Sequence, residues 1–172
     1  MSLLIGSVSI PQIAALDLDQ QYQPIGGEAI LRAVSGRGIK QMTYQRLRIT
    51  TSGSGWLPAG LAELDFTAQH VLGCVVPRGV PAVFATRQAT LPAARRSDSG
   101  FTPFATALLA GGRAISTPVT LAGNVATCDA VSGAVAYLVN YYPAPTVWLL
   151  RPNESGSQAD ASYRWELSAE EI

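Results

Sequence analysis

Polar and apolar positions alternate with period two from Ile39 to Ile49, the longest such run in the chain. Ile39, Gln41, Thr43, Gln45, Leu47 and Ile49 take one phase, and Lys40, Met42, Tyr44, Arg46 and Arg48 the other. The period and its Ile, Thr and Tyr content predict a strand. Each phase mixes polar with apolar residues, so both faces are expected to be covered by protein, partly from other subunits. Before it, Pro24–Gly27 predicts a turn, Glu28–Val34 a short strand, and Ser35–Gly38 a closing turn. After it, TTSGSG (Thr50–Gly55) reads as a flexible connector. Trp56 follows among turn residues, and AGLAELDF allows one helical turn with Leu61, Leu64 and Phe66 on one side.

Residues 3–16 are apolar but interrupted by Pro11, which excludes a continuous helix or central strand. An extended N-terminal arm over residues 1–20 is expected, ending in a polar connector that starts at Asp17 and Asp19. Val71–Val76 and Val80–Phe84 predict strands around a turn in PRGVP. Ala89–Gly100 is the most loop-like stretch and divides the chain into a half at 21–92 and a half at 101–172, which can also form one continuous domain. In the second half Phe104–Ala110 with Ala114–Ser116, and Pro118–Leu121 with Val125–Cys128, predict two hairpins. Ala134–Tyr142, Val147–Arg151 and Tyr163–Leu167 predict further strands, with PNESGSQADA as a polar loop. No stretch holds a 3.6-residue period. The fold class expected is all-β, an antiparallel sandwich or barrel with little helix.

Composition sharpens this. Charged residues are 14% of the 172, against about 25% in ordinary soluble domains, and mean hydropathy is +0.20. A chain so poor in charge is expected to hide surface in partners, as a subunit of an assembly. Twelve basic and twelve acidic residues cancel, leaving no basic track for nucleic acid. Lys40 is the sole lysine, and arginine suits paired contacts with carboxylates at interfaces. Arg95, Arg96 and Asp98 form the densest charge cluster, read as a solvated loop or a partner contact. No apolar run approaches the ~20 residues of a membrane helix, and the N-terminus lacks a signal peptide's basic region, so a chain made in the cytosol is expected.

Catalytic chemistry finds little to build on. His70 is the only histidine, and in a strand it would lie ~13 Å from Cys74, too far for a nucleophile and its base. Cys74 and Cys128 read as buried thiols, with pairing left open. Metal-ligand spacings are absent from the sequence. Asp17/Asp19 and Glu63/Asp65 lack the frame of a calcium loop. Glu63 and Asp65 near Trp56 are the only pair for glycoside chemistry, with Trp56 more simply a packing anchor. Trp148 and Tyr141-Tyr142 are the only aromatic cluster for a carbohydrate platform. The expectation is a protein that is not an enzyme and uses no cofactor.

PIGG (Pro24–Gly27), a strand ending in GxxIKQ (Gly36–Gln41), SGSGWLPAGLAELDF (Ser52–Phe66), CVVPRGV (Cys74–Val80) and the ending YRWELSAEEI (Tyr163–Ile172) resemble a family of small tail-region structural proteins of tailed bacteriophages. The resemblance spans nearly the whole chain, and GWLPAGLAELDF is its most specific part. It implies a ripcord-like subunit of the tail tip or baseplate, assembled in the host cytoplasm into the virion. Such a subunit would form a homo-oligomeric ring, a hexamer being one candidate size, joining the tail tube to hub and baseplate proteins. It carries over no catalytic residues. Subunit contacts are expected from Leu3, Leu4 and Ile5, from Trp56, Leu57 and Pro58, and from Arg95 and Arg96. Alternatives are a head-to-tail connector or tail terminator, and a virion-displayed sandwich that binds carbohydrate or the cell surface.

Overall fold

The computed structural model describes residues 2–172; strands take 57% of the chain and helix 4%, and antiparallel sheets pack together in an all-β sandwich. In chain order the strands are β1 (Leu3–Ile5), β2 (Val8–Ile10), β3 (Asp19–Arg32), β4 (Gly38–Gly55), β5 (Gln69–Gly73), β6 (Arg78–Pro81), β7 (Gln88–Thr90) and β8 (Phe104–Leu109). They continue as β9 (Ala114–Thr117), β10 (Val119–Ala122), β11 (Val125–Cys128), β12 (Ala134–Tyr141), β13 (Thr146–Leu149), β14 (Asn153–Ser157) and β15 (Ser162–Glu171). Short 3-10 turns occupy Gln12–Ala14 and Leu61–Glu63.

The chain divides into two units, each threaded twice. The first holds residues up to Ser9 and Val71–Pro145, the second Ile10–His70 and Thr146–Ile172. The stretch Ala89–Gly100, expected to separate two halves, lies inside the first unit, because Ala89 and Leu91 are buried in its core. There, sheet β6-β12-β8-β9 and sheet β10-β11-β7 share one hydrophobic core. Alternate residues supply it, Ala105 and Ala107 from β8, Ala126 and Cys128 from β11, Tyr137 and Val139 from β12, as the two-residue period of a strand requires. Both expected hairpins form, β8 with β9 and β10 with β11, the latter turning at Gly123-Asn124 with Gly123 at φ +60°. RGVP, expected within a turn, is instead the strand β6 paired to β12.

The N-terminal stretch is a hairpin rather than an extended arm. Gly6 at φ +58° turns β1 into β2, and β1 pairs with β5 (Leu4↔Gly73, Ile5↔Leu72). Burial of Leu3 and Ile5 drives the fold-back, and Pro11 falls just past β2. Met1 lies outside the described residues.

Arg96 locks this corner. Its guanidinium, 5% exposed, donates to the backbone oxygens of Ser2, Gly73 and Cys74, and pairs with both carboxylate oxygens of Asp98 at 2.9 and 2.5 Å. It also stacks 3.3 Å above the Phe101 ring. The hydrogen bonds from Arg96 hold the Asp98 carboxyl below the usual carboxylate range. A carboxyl depressed in the folded state stabilises fully above its unfolded value, near pH 4, and loses that contribution as pH falls through the depressed value. The melting-temperature gap between the wild type and Asp98→Asn should therefore be widest at neutral pH and close below about pH 4. The Asp98 side chain is half exposed, so the change is small; a gap independent of pH would contradict it.

In the second unit β15 is the centre. It pairs with β4 from Tyr163↔Gly55 to Glu170↔Arg48, and on its other edge with β13 and β14. Thus part of the polar loop PNESGSQADA is a strand. TTSGSG is not a connector: β4 continues to Gly55, with Thr51, Gly53 and Gly55 facing inward. Gly53 lies under the Trp165 ring, and a Cβ on Gly55 would collide with the Ile13 carbonyl oxygen and sit 2.6 Å from Ala14 Cα. Glycine is required there for close packing. Gly55→Ala should cost about 1–3 kcal/mol, read as a lower urea midpoint; an unchanged midpoint would refute the packing role.

Candidate functional site

β3 leaves the sheet and β4 returns to it. Pairing of β4 with β15 ends at Arg48↔Glu170, whereas pairing with β3 runs on to Arg32↔Gly38. Beyond Arg48 the two strands form a ribbon of their own, closed at Ala33–Arg37 by backbone bonds Gly36 N–H to Ala33 O and Ala33 N–H to Arg37 O. Gly36 takes φ +80° in this turn, the left-handed position that a three-residue hairpin loop requires. The turn expected at Pro24–Gly27 does not form. Those residues are part of β3, and Gly26 and Gly27 lie so close to Thr43 and Tyr44 that neither has room for a Cβ.

Gly26 pairs with Gln45 but Glu28 pairs with Met42, so Thr43 and Tyr44 both oppose Gly27 in a β-bulge. The bulge inverts the phase of β4. The alternation that in sequence looks like one continuous face is two faces joined out of step. Past the bulge, Leu31 lies beside Ile39 on one face, while Ile30 lies beside Lys40 on the other. Ile30, Leu31, Val34, Ile39, Met42 and Tyr44 are all exposed, Ile30 at 68%. Lys40 pairs with Glu28 at 2.9 Å, and Thr43 Oγ1 donates to Gly27 O at 3.0 Å. A two-stranded ribbon is marginal in water without a packed face, and this one offers apolar side chains on both. This ribbon is an arm with apolar residues exposed on both faces.

At the other end of the β3–β4 ladder, Leu16 N–H donates to Ser54 O and Trp56 N–H to Ile13 O. This brings Ile13, Leu16, Trp56 and Leu57 together as exposed apolar side chains, Trp56 at 64%. The rest of the motif is an anchor: Gly60 at φ +73° leads into the 3-10 turn Leu61–Glu63, and Ala59, Leu61 and Leu64 are buried. Next to this ledge is an open groove of ≈ 600 Å³ lined by Asp17, Asp19, Glu154 and Glu166, with Arg164 its one base and Trp165 behind. Among the described residues none of these four acids is in an ion pair.

The residues expected at subunit contacts separate into two groups. Trp56, Leu57 and Pro58 are exposed. Leu3 and Ile5 are buried in the first unit, Leu4 is half-buried, and Arg96 is consumed by internal bonds. Arg95 is held at the surface by the carbonyl oxygens of Pro92 and Gly123 and by Asn124 Oδ1. The apolar tip of the arm and the acidic groove went unread; the adjacent Ile30-Leu31 next to a hairpin turn was the available signal for the first.

Two of the groups weighed for catalysis, His70 and Asp65, have local partners. His70 Nε2 lies 2.7 Å from the Asp65 carbonyl oxygen. Hydrogen bonds from the Thr67 hydroxyl and N–H keep the Asp65 carboxyl below its usual range. Cys74 and Cys128 are buried and not joined to each other, and burial pushes the Cys128 thiol up. Among the described residues no three His, Cys, Asp or Glu side chains gather as a metal site. Tyr141 and Tyr142 are buried, Tyr142 edge-on to Phe101 with ring centres 5.0 Å apart, so they offer no carbohydrate platform. Comparisons with family models, curated proteins and solved structures each found no match.

Proposed function

We propose that this chain is a structural subunit of a bacteriophage tail tip or baseplate, assembling into a ring that connects the tail tube to the hub. One observation carries the assembly part of this reading: a two-stranded arm with exposed apolar residues on both faces. Such a ribbon gains stability by laying those faces against protein, and repeated copies of one chain do this in symmetric rings. The placement in a phage tail is supported by the resemblance carried by GWLPAGLAELDF. The exposed pair Trp56 and Leu57 in that motif adds a second surface of the kind that interfaces enrich.

The purified full chain should form closed rings by negative-stain microscopy, with a mass by light scattering that is a fixed multiple of 18.1 kDa. Replacing residues 28–42 by a two-residue turn should give a folded monomer with its β-sheet circular dichroism retained. A wild-type chain that stays monomeric at every concentration would overturn the reading.

A further inference from the structure

We infer that the tip of the β3–β4 arm of one copy docks head-to-tail on the acidic groove and Trp56 ledge of a second copy. The inference rests on the assembly-subunit reading above and names the surface that the arm meets. Net charge on the chain is zero, yet the charge is segregated within the second unit. Along the arm Arg32, Arg37, Lys40 and Arg46 stand against one acid, Glu28, which Lys40 already pairs. In the groove Asp17, Asp19, Glu154 and Glu166 stand against Arg164.

The apolar parts match as well. The arm tip carries Ile30, Leu31, Val34 and Ile39, and the groove is bordered by the exposed Ile13, Leu16, Trp56 and Leu57. Both surfaces thus combine an apolar patch with charge of opposite sign, the complementarity that steers and orients association.

An arm cannot fill its own groove. Asp19↔Ser52 lies at the groove end of the ladder and Arg32↔Gly38 at the tip, roughly 45 Å apart along a continuous pair of strands. The tip therefore meets the groove of another copy, in a heterologous contact, the type that closes into rings or extends into filaments.

Two variants of the full chain test this. R32E/R37E reverses the tip and D17K/E154K reverses the groove; each alone should weaken self-association at least about tenfold by sedimentation velocity, since like charges now face each other. Mixed in equal amounts, they should assemble again, because each variant's tip then opposes the other's groove with opposite charge. Recovery on mixing also shows that both variants are folded. Loss of assembly in R32E/R37E with D17K/E154K unaffected would place the tip elsewhere and overturn the inference, as would two defective variants that do not rescue each other. Assembly unchanged in both would overturn the inference while leaving the subunit reading intact. A wild-type monomer would overturn both.

Discussion

Arg96→Met is expected to lower the stability of the first unit by roughly 3–5 kcal/mol, a drop in melting temperature of more than about 10 °C. Methionine keeps the apolar stem but donates nothing. The carbonyl oxygens of Gly73 and Cys74, which accept from Arg96 Nη1 at 3.0 and 3.2 Å in a buried corner, would each lose a charged donor, at about 1–3 kcal/mol. The Ser2 carbonyl and the stacking on Phe101 would be lost with them. Asp98 contributes less, since its half-exposed carboxylate regains water. Arg96→Lys should recover only part of the loss, because an ammonium lacks the planar fork that reaches carbonyls and carboxylate together. Arg95→Met is the contrast: its three acceptors sit at the surface, and the variant should stay within about 1 kcal/mol of wild type. Equal effects at the two positions, by chemical unfolding, would refute the assignment.

Trp165→Ala is expected to destabilise the second unit by about 3–5 kcal/mol through the cavity left by the largest side chain in β15. The ring is 3% exposed, and its Nε1–H donates to the Ala14 carbonyl oxygen at 2.9 Å. Trp165→Phe keeps most of the ring but not the donor, and should cost about 1–3 kcal/mol. The partner test is sharper. A Cβ on Gly53 would sit 2.8 Å from Trp165 Cζ2, so Gly53→Ala should destabilise the wild type by about 1–3 kcal/mol and do little in the Trp165→Ala background. Additive losses in that double-mutant cycle would remove the direct contact from the account.

The candidate site was half legible. Ile39–Ile49 announced a strand with no clean core face, and that unresolved mixture marked the arm. The bulge at Thr43-Tyr44 was invisible, since it depends on which residues of β3 lie opposite. Its effect, turning one apparent phase into two opposite faces, has no signature in the alternation itself. The acidic groove was likewise unreadable, being assembled from Asp17 and Asp19, Ser52–Ser54 and the β14–β15 hairpin. Trp56 and Leu57 were legible because an apolar pair between Gly55 and Pro58 has little local means of burial.

From sequence alone came the all-β class, both hairpins of the first unit and the strands expected at Ala134–Tyr142 and Val147–Arg151, found at Ala134–Tyr141 and Thr146–Leu149. These follow from a two-residue period and from turn residues, which act within a few positions of themselves. Tertiary structure alone decided that TTSGSG is packed strand and not connector, that the N-terminus folds back, and that of two adjacent arginines only Arg96 is buried. Each of those outcomes depends on a partner far along the chain: Trp165 over Gly53, β5 beside β1, the Gly73 and Cys74 carbonyls around a guanidinium. A glycine kept for close approach and one kept for flexibility are the same residue until the neighbour is known.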